Sequence, residues 1–220
     1  MENHSVTSLE HADKGRAGII PTAWFAAALI PMIASQIMRL HESQAANWIF
    51  WDYAGRIGAL AILAAIPAAR SVAFRRDNRQ MSLWEITLWI LVISFAERMS
   101  QWVSRFINAA FPMTVLGVYP RPSGWLYLID LGLGLALVAV SEEIIFRRCA
   151  RHVLQPYLGD GNVALIATSL AFGCYHWWAG LGNVFAATMI GILLMLMLRR
   201  SAALWPVALA HYLVDLVSFS

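Results

Sequence analysis

Seven apolar stretches take up most of this 220-residue chain, at about residues 19–38, 57–69, 83–96, 125–140 and onward, 163–178, 184–198 and 202–219. A soluble core of this size has nowhere to hide so much apolar surface. Hydrophobic residues make up 60% of the sequence and charged residues 13%, against about 25% charged in soluble domains. The bilayer is therefore the natural solvent, and the expected fold class is all-α, a polytopic helical bundle of about seven transmembrane helices. Several runs fall short of the ~20 residues that span a hydrocarbon core, so the second and third must tilt or borrow flanking residues. Residues 1–18 are polar and read as a disordered cytosolic tail, 19–124 as N-terminal membrane helices serving as scaffold, and 125–220 as the helical half that carries the chemistry.

The formal charge of +3 follows from arginines in the connections, as the positive-inside rule requires. They form no continuous stripe, which excludes a nucleic-acid surface. With a cytosolic N-terminus, Lys14, Arg16, Arg70, Arg75, Arg76, Arg79, Arg147, Arg148, Arg151, Arg199 and Arg200 fall inside, and Arg39, Arg56, Arg98, Arg105 and Arg121 fall outside. This eleven-to-five balance predicts N-in and C-out, with residues 97–111 as an amphipathic segment at the outer interface. A bacterial cytoplasmic membrane is the expected location. Cys149 and Cys174 form no CxxC pair and no zinc spacing, and read as small core residues. Gly159-Asp160-Gly161, preceded by Pro156, predicts a turn that folds a long helical pattern into two antiparallel arms.

Three clusters place ionisable groups in apolar sequence, where each costs at least about 2.5–3.5 kcal/mol at the centre of a membrane helix. The first is Ser141-Glu142-Glu143-Ile144-Ile145-Phe146-Arg147. Glu143 and Arg147 are i,i+4 and can pair on one face. Glu142 points about 100° away and finds only Ile145 and Phe146 at i+3 and i+4, so it is left free and desolvated, suited to general-base work. The second is Phe172-Gly173-Cys174-Tyr175-His176, with Phe172 and His176 on one face. With Asp160 at the hairpin tip, Glu143 and His176 fall at nearly equal heights, about 24 Å from it. The third is His211-Tyr212-Leu213-Val214-Asp215, where Asp215 at i+4 can orient the His211 imidazole.

In order, these clusters read EExxxR, FxxxH and HxxxD. On those motifs, over about residues 141–215, the chain resembles the CPBP (CAAX protease and bacteriocin-processing) intramembrane endopeptidases. It departs in carrying Arg148, where many members have Gly, and Asp215, where Asn is commoner. The resemblance implies a glutamate-dependent peptidase acting on a membrane-anchored or lipidated protein. Glu142 and His176 would activate a water, His211 with Asp215 would stabilise the oxyanion, and Glu143, Arg147 and Phe172 would set geometry and charge. A water nucleophile accords with the lack of a serine or cysteine beside a base.

No cofactor is expected. A zinc ion on Glu142, His176 and His211 stands as the alternative, against the missing HExxH spacing. A non-catalytic membrane binding or immunity factor on the same scaffold stands as the alternative function. A proton-relay transporter would show repeated halves, which are missing here. Oligomeric state is not encoded in any feature of the sequence. Asp52 and Arg56 (i,i+4) read as a structural pair, Glu85 and Asp130 as helix-end or interhelical hydrogen-bonding groups, and the tryptophans as interfacial belts with Trp177 and Trp178 beside His176.

Overall fold

Each of the long apolar runs becomes helix, because a backbone in lipid must satisfy its own hydrogen bonds. The computed structural model describes residues 4–77 and 81–220, with the side chains of the first helix described from Ile20 onward. The tail expected over residues 1–18, and the charges of Lys14, Arg16 and Arg79, lie outside the residues whose side chains are described. Among the described residues there are ten α-helices and no strands.

Helix α1 (His4–Arg39) and helix α2 (Ala45–Ala65) form the closest-knit pair, joined by five residues. Gly55 permits the approach: a Cβ there would lie 2.8 Å from the Pro31 carbonyl and collide with Ser35. Small residues at such crossings are how membrane helices pack without a hydrophobic drive between them. Ile66 is extended ahead of Pro67, which opens helix α3 (Pro67–Ala73), and the chain bends by 114° there.

Helix α4 (Leu83–Ala110) starts with a capping box in which Ser82 and Glu85 satisfy each other's backbone N–H. It runs on for 28 residues because no Gly or Pro interrupts it before Pro112. The amphipathic segment expected at 97–111 is therefore the second half of α4 and not a separate interfacial element. Trp84, Leu88, Leu91, Phe95, Trp102 and Phe106 stay exposed at helical spacing along it, an apolar stripe made for lipid.

A continuous helical run then carries helix α5 (Gly124–Ile129), a π-helical turn at Asp130–Gly134, helix α6 (Leu135–Glu142), a second π-helical stretch at Glu143–Ala150, and helix α7 (Arg151–Leu158). Gly159, at φ 68°, ends it in the left-handed region that favours glycine. The expected turn at 159–161 is there, and helix α8 (Asn162–Tyr175) returns from it. Helix α9 (Leu181–Ser201) and helix α10 (Leu204–Phe219) complete the bundle. At Gly173, α8 meets α9 so closely that a Cβ would lie 2.6 Å from the Val184 carbonyl.

These elements run alternately between two ends of the bundle. One end gathers Glu85, Asp160, Arg199 and Arg200: Arg200 pairs with Glu85 at 2.5 Å, Arg151 with Asp160 at 2.5 Å, and Arg199 donates to Asn162 at 2.9 Å. Arg148 joins it by pairing with Asp77 at 2.5 Å, and Asp77 also accepts from the Leu204 N–H. The other end gathers residues 111–123, Trp178 and Phe219: the Leu116 N–H donates to the Trp178 carbonyl at 2.9 Å, and Arg121 donates to the Phe219 carbonyl at 3.0 Å.

Among the described residues, two helices, Ile20–Arg39 and Leu181–Ser201, are long and apolar enough to cross a membrane, or three spans if the bent pair Ala45–Ala65 and Pro67–Ala73 counts as one.

Candidate active site

Glu142 closes α6 and Glu143 opens the π-helical stretch, so the paired carboxylates sit where the helix widens. Wide turns of this kind recur at functional sites because they re-aim side chains that a regular helix would hold in register. Both glutamates are essentially fully buried, as is Arg147. Glu143 and Arg147 pair as the spacing predicts, Nε to Oε2 at 3.1 Å. The guanidinium also lies 4.3 Å from the centre of the Phe172 ring, a cation–π contact in a desolvated setting.

Glu142 is not free. Arg56 of α2 reaches its Oε1 at 2.8 Å and the Ser141 hydroxyl at 3.2 Å. Arg56 is in turn held by Asp52 at 3.0 Å, and Asp52 also pairs with Arg39. The Arg39 guanidinium lies 4.2 Å from the Trp48 ring and 5.0 Å from the Trp178 ring. A buried ladder of alternating charge, Arg39–Asp52–Arg56–Glu142, thus joins the first two helices to the motif carboxylate. Local spacing gave Glu142 no partner because its partner lies 86 positions earlier, on another helix. Among the described residues, Glu142 Oε2 makes no hydrogen bond, and it faces His211 Nε2 at 3.9 Å.

His176 sits just past the last residue of α8. Its Nδ1 lies 2.9 Å from the Phe172 carbonyl, which can only accept, so Nδ1 carries the proton and Nε2 keeps its lone pair. The turn that bears it is pinned by Gln36 of α1: the Gln36 amide donates to the Tyr175 carbonyl at 2.8 Å and accepts from the Trp177 indole N–H at 2.8 Å. Gln36 is fully buried.

His211 stands midway along α10 with three carboxylates about it. Its Nδ1 is 2.8 Å from Glu143 Oε1, and its Nε2 is 3.4 Å from Asp215 Oδ2. The tighter partner is therefore Glu143 rather than the Asp215 that i,i+4 spacing suggests. The Phe172 ring packs at 4.9 Å from the His176 ring and 5.9 Å from that of His211, and so wedges the two imidazoles apart.

Glu142, His176, His211 and Asp215 all line one cavity of about 630 Å³, within the size range of ligand sites. Glu143 and Arg147 lie behind that wall and are not part of its lining. Arg39, Asp52 and Arg56 contribute to the wall from the N-terminal helices. Among the described residues, no three or more His, Cys, Asp or Glu side chains are disposed to hold a metal ion. Of the donors in the zinc alternative, Glu142 Oε1 is taken by Arg56 and His176 Nδ1 by a backbone carbonyl, while Glu142 Oε2 and His176 Nε2 keep their lone pairs.

Sequence reasoning missed Arg56 as a site residue and missed Gln36 altogether. Asp52–Arg56 carried a signal as an ion pair in an apolar run. Gln36 carried a weaker one, a lone amide among apolar neighbours. Glu85 and Asp130 do behave as read: Glu85 caps α4, and Asp130 accepts from Tyr53 at 2.6 Å and from Tyr119.

Fold and site together define a helical membrane protein with a buried polar centre of carboxylates, imidazoles and arginines facing one cavity. Residues 123–217 match the family described as Rce1-like, type II CAAX prenyl endopeptidase Rce1-like, so the stretch carrying all three motifs is similar to the CAAX proteases. The family is one of membrane proteases. Neither a curated protein nor a solved structure matches the chain significantly.

Proposed function

We propose that the protein is an intramembrane endopeptidase that hydrolyses a peptide bond in a membrane-associated or lipidated protein, using a water activated by Glu142 and His176. The observation that carries the reading is the meeting of Glu142, His176 and His211 on the wall of one cavity, within the stretch that matches a protease family. The water gives its proton to Glu142 or to His176 Nε2, and its oxygen bonds to the scissile carbonyl carbon. His211, protonated on Nε2, donates to the oxyanion, with Asp215 steadying it. As the C–N bond breaks, the amine leaves with a proton returned from the same base. Glu143 holds the other face of His211, while Arg147 and Phe172 keep Glu143 and both imidazoles in place. The step runs on the chain's own side chains, without a metal.

In this reading α1, α2 with α3, α4, α5 to α7, α8, α9 and α10 are seven crossings of a bacterial cytoplasmic membrane, with the N-terminus cytosolic and the C-terminus outside. Seven crossings agree with the alternating run of the elements, and the exposed stripe on α4 supports its place among them.

A non-catalytic binding or immunity factor is the competing reading, and the Arg56 ion pair on Glu142 is what favours it. The test is a comparison of protein termini in membrane and secreted fractions from cells carrying wild type, Glu142→Gln or His176→Ala. Under the proteolytic reading, the same protein keeps an uncleaved terminus in both variants, at wild-type expression. Identical processing in all three strains, with a phenotype on deletion, sinks catalysis and leaves the binding factor.

A further inference from the structure

Every residue that lines the active-site cavity lies between its floor, at Glu142 and His211, and one end of the bundle. The mouth is formed by Val115, Val118 and Tyr119 from the 111–123 connection, by Trp48 and Trp178, and by Phe219 at the end of α10. At the opposite end, the latched end, the elements are tied together by Arg148 on Asp77, Arg151 on Asp160 and Arg199 on Asn162. A second depression near that end, between α6 and α10, is lined by Asp77, Arg148, Leu204 and their neighbours and reaches none of Glu142, His176 and His211. Among the described residues, the lining of the cavity thus leads from its floor to that one mouth.

The arginines identify that side. The latched end carries Arg70, Arg75, Arg76, Arg151, Arg199 and Arg200, all at least partly exposed. At the mouth end, Arg39 and Arg56 are buried in the ion ladder and count for nothing in a loop, which leaves Arg98, Arg105 and Arg121 exposed among the described residues. Six exposed arginines against three put the latched end in the cytosol. With the buried Arg39 and Arg56 set aside, the asymmetry keeps the direction of the sequence count.

We infer that the cavity opens to the extracytosolic face, so that its substrate is a peptide segment on the outer side of the membrane, in an exported or outward-facing membrane-associated protein. A cytosolic chain terminus would meet the latched end instead. The inference rests on the proteolytic reading for its substrate, but the direction of opening stands on geometry and charge alone.

The test is labelling of single cysteines by a membrane-impermeant maleimide in intact cells, in a full-length Cys174→Ser background; the remaining Cys149 is buried. Val118→Cys and Ser218→Cys report the mouth, and Gly161→Cys, where a side chain meets open space, reports the latched end. Two mouth positions guard against one variant failing to fold. The expected result is labelling at Val118→Cys and Ser218→Cys in intact cells, and complete loss of labelling at Gly161→Cys until the cells are permeabilised. Labelling of Gly161→Cys in intact cells, or mouth positions that label only after permeabilisation, overturns the inference. Unchanged processing in Glu142→Gln is a separate failure: it removes the protease and leaves the direction of opening intact.

Discussion

Arg56 Nη1 lies 2.8 Å from Glu142 Oε1, so a side chain of the second helix holds the carboxylate proposed as the base. The contact is buried on both sides, which decides its worth. An exposed pair of this kind contributes about 0–1 kcal/mol, but removing one partner of a buried pair costs about 3–5 kcal/mol through the charge left behind. Arg56→Met is expected to lower thermal stability in detergent by an amount in that range and to abolish peptide cleavage. Arg56→Lys is expected to regain part of both, since it restores the charge without the two-pronged reach to Asp52 and Glu142. A fully active Arg56→Met protein would mean that the ladder is structural only.

Gln36 offers a gentler probe of His176. Its amide fixes the Tyr175 carbonyl and the Trp177 indole on either side of the imidazole, so Gln36→Leu frees that turn without adding a buried charge. Misplacing a reacting group by about 1 Å costs around 100-fold in rate, and a loss of 10- to 100-fold in kcat with little change in KM is the expected outcome. Steady-state kinetics with helical content checked in parallel would read it; a change in KM alone would move Gln36 to substrate binding.

The distances around His211 rank its partners. Glu143 at 2.8 Å should matter more than Asp215 at 3.4 Å. Loss of an oxyanion donor costs about 10²–10³ in kcat, so His211→Ala is expected to fall in that range. Glu143→Gln should fall well below wild type, whereas Asp215→Asn, which keeps the shape, should retain most activity. The reverse order between Glu143→Gln and Asp215→Asn would return the orienting role to Asp215.

Chelation tests the metal-free step. Peptide cleavage by the purified protein is expected to survive 1,10-phenanthroline and EDTA undiminished. Loss of activity that added zinc restores would revive Glu142, His176 and His211 as ligands and displace the water-activation scheme built on Glu142 and His176.

Much of this was legible in the residues. The apolar runs predicted an all-helical membrane chain because lipid permits little else. Gly159-Asp160-Gly161 predicted the hairpin, and i,i+4 spacing predicted the Glu143–Arg147 pair, because a helix fixes which neighbours share a face. The same local logic left Glu142 without a partner and gave His211 to Asp215. The Asp215 contact is there at 3.4 Å, but the first conclusion fails and the second is incomplete for one reason: the shorter contacts run between helices, Arg56 to Glu142 and Glu143 to His211, and depend on how α2, α10 and the widened turn at Glu143–Ala150 are set against one another. Helix periodicity, written in the sequence, determined the fold class, the motif positions and the contacts within one turn. The packing of helices far apart in the chain, which only the tertiary structure holds, decided which charges meet, how His176 is held, and toward which end the cavity opens.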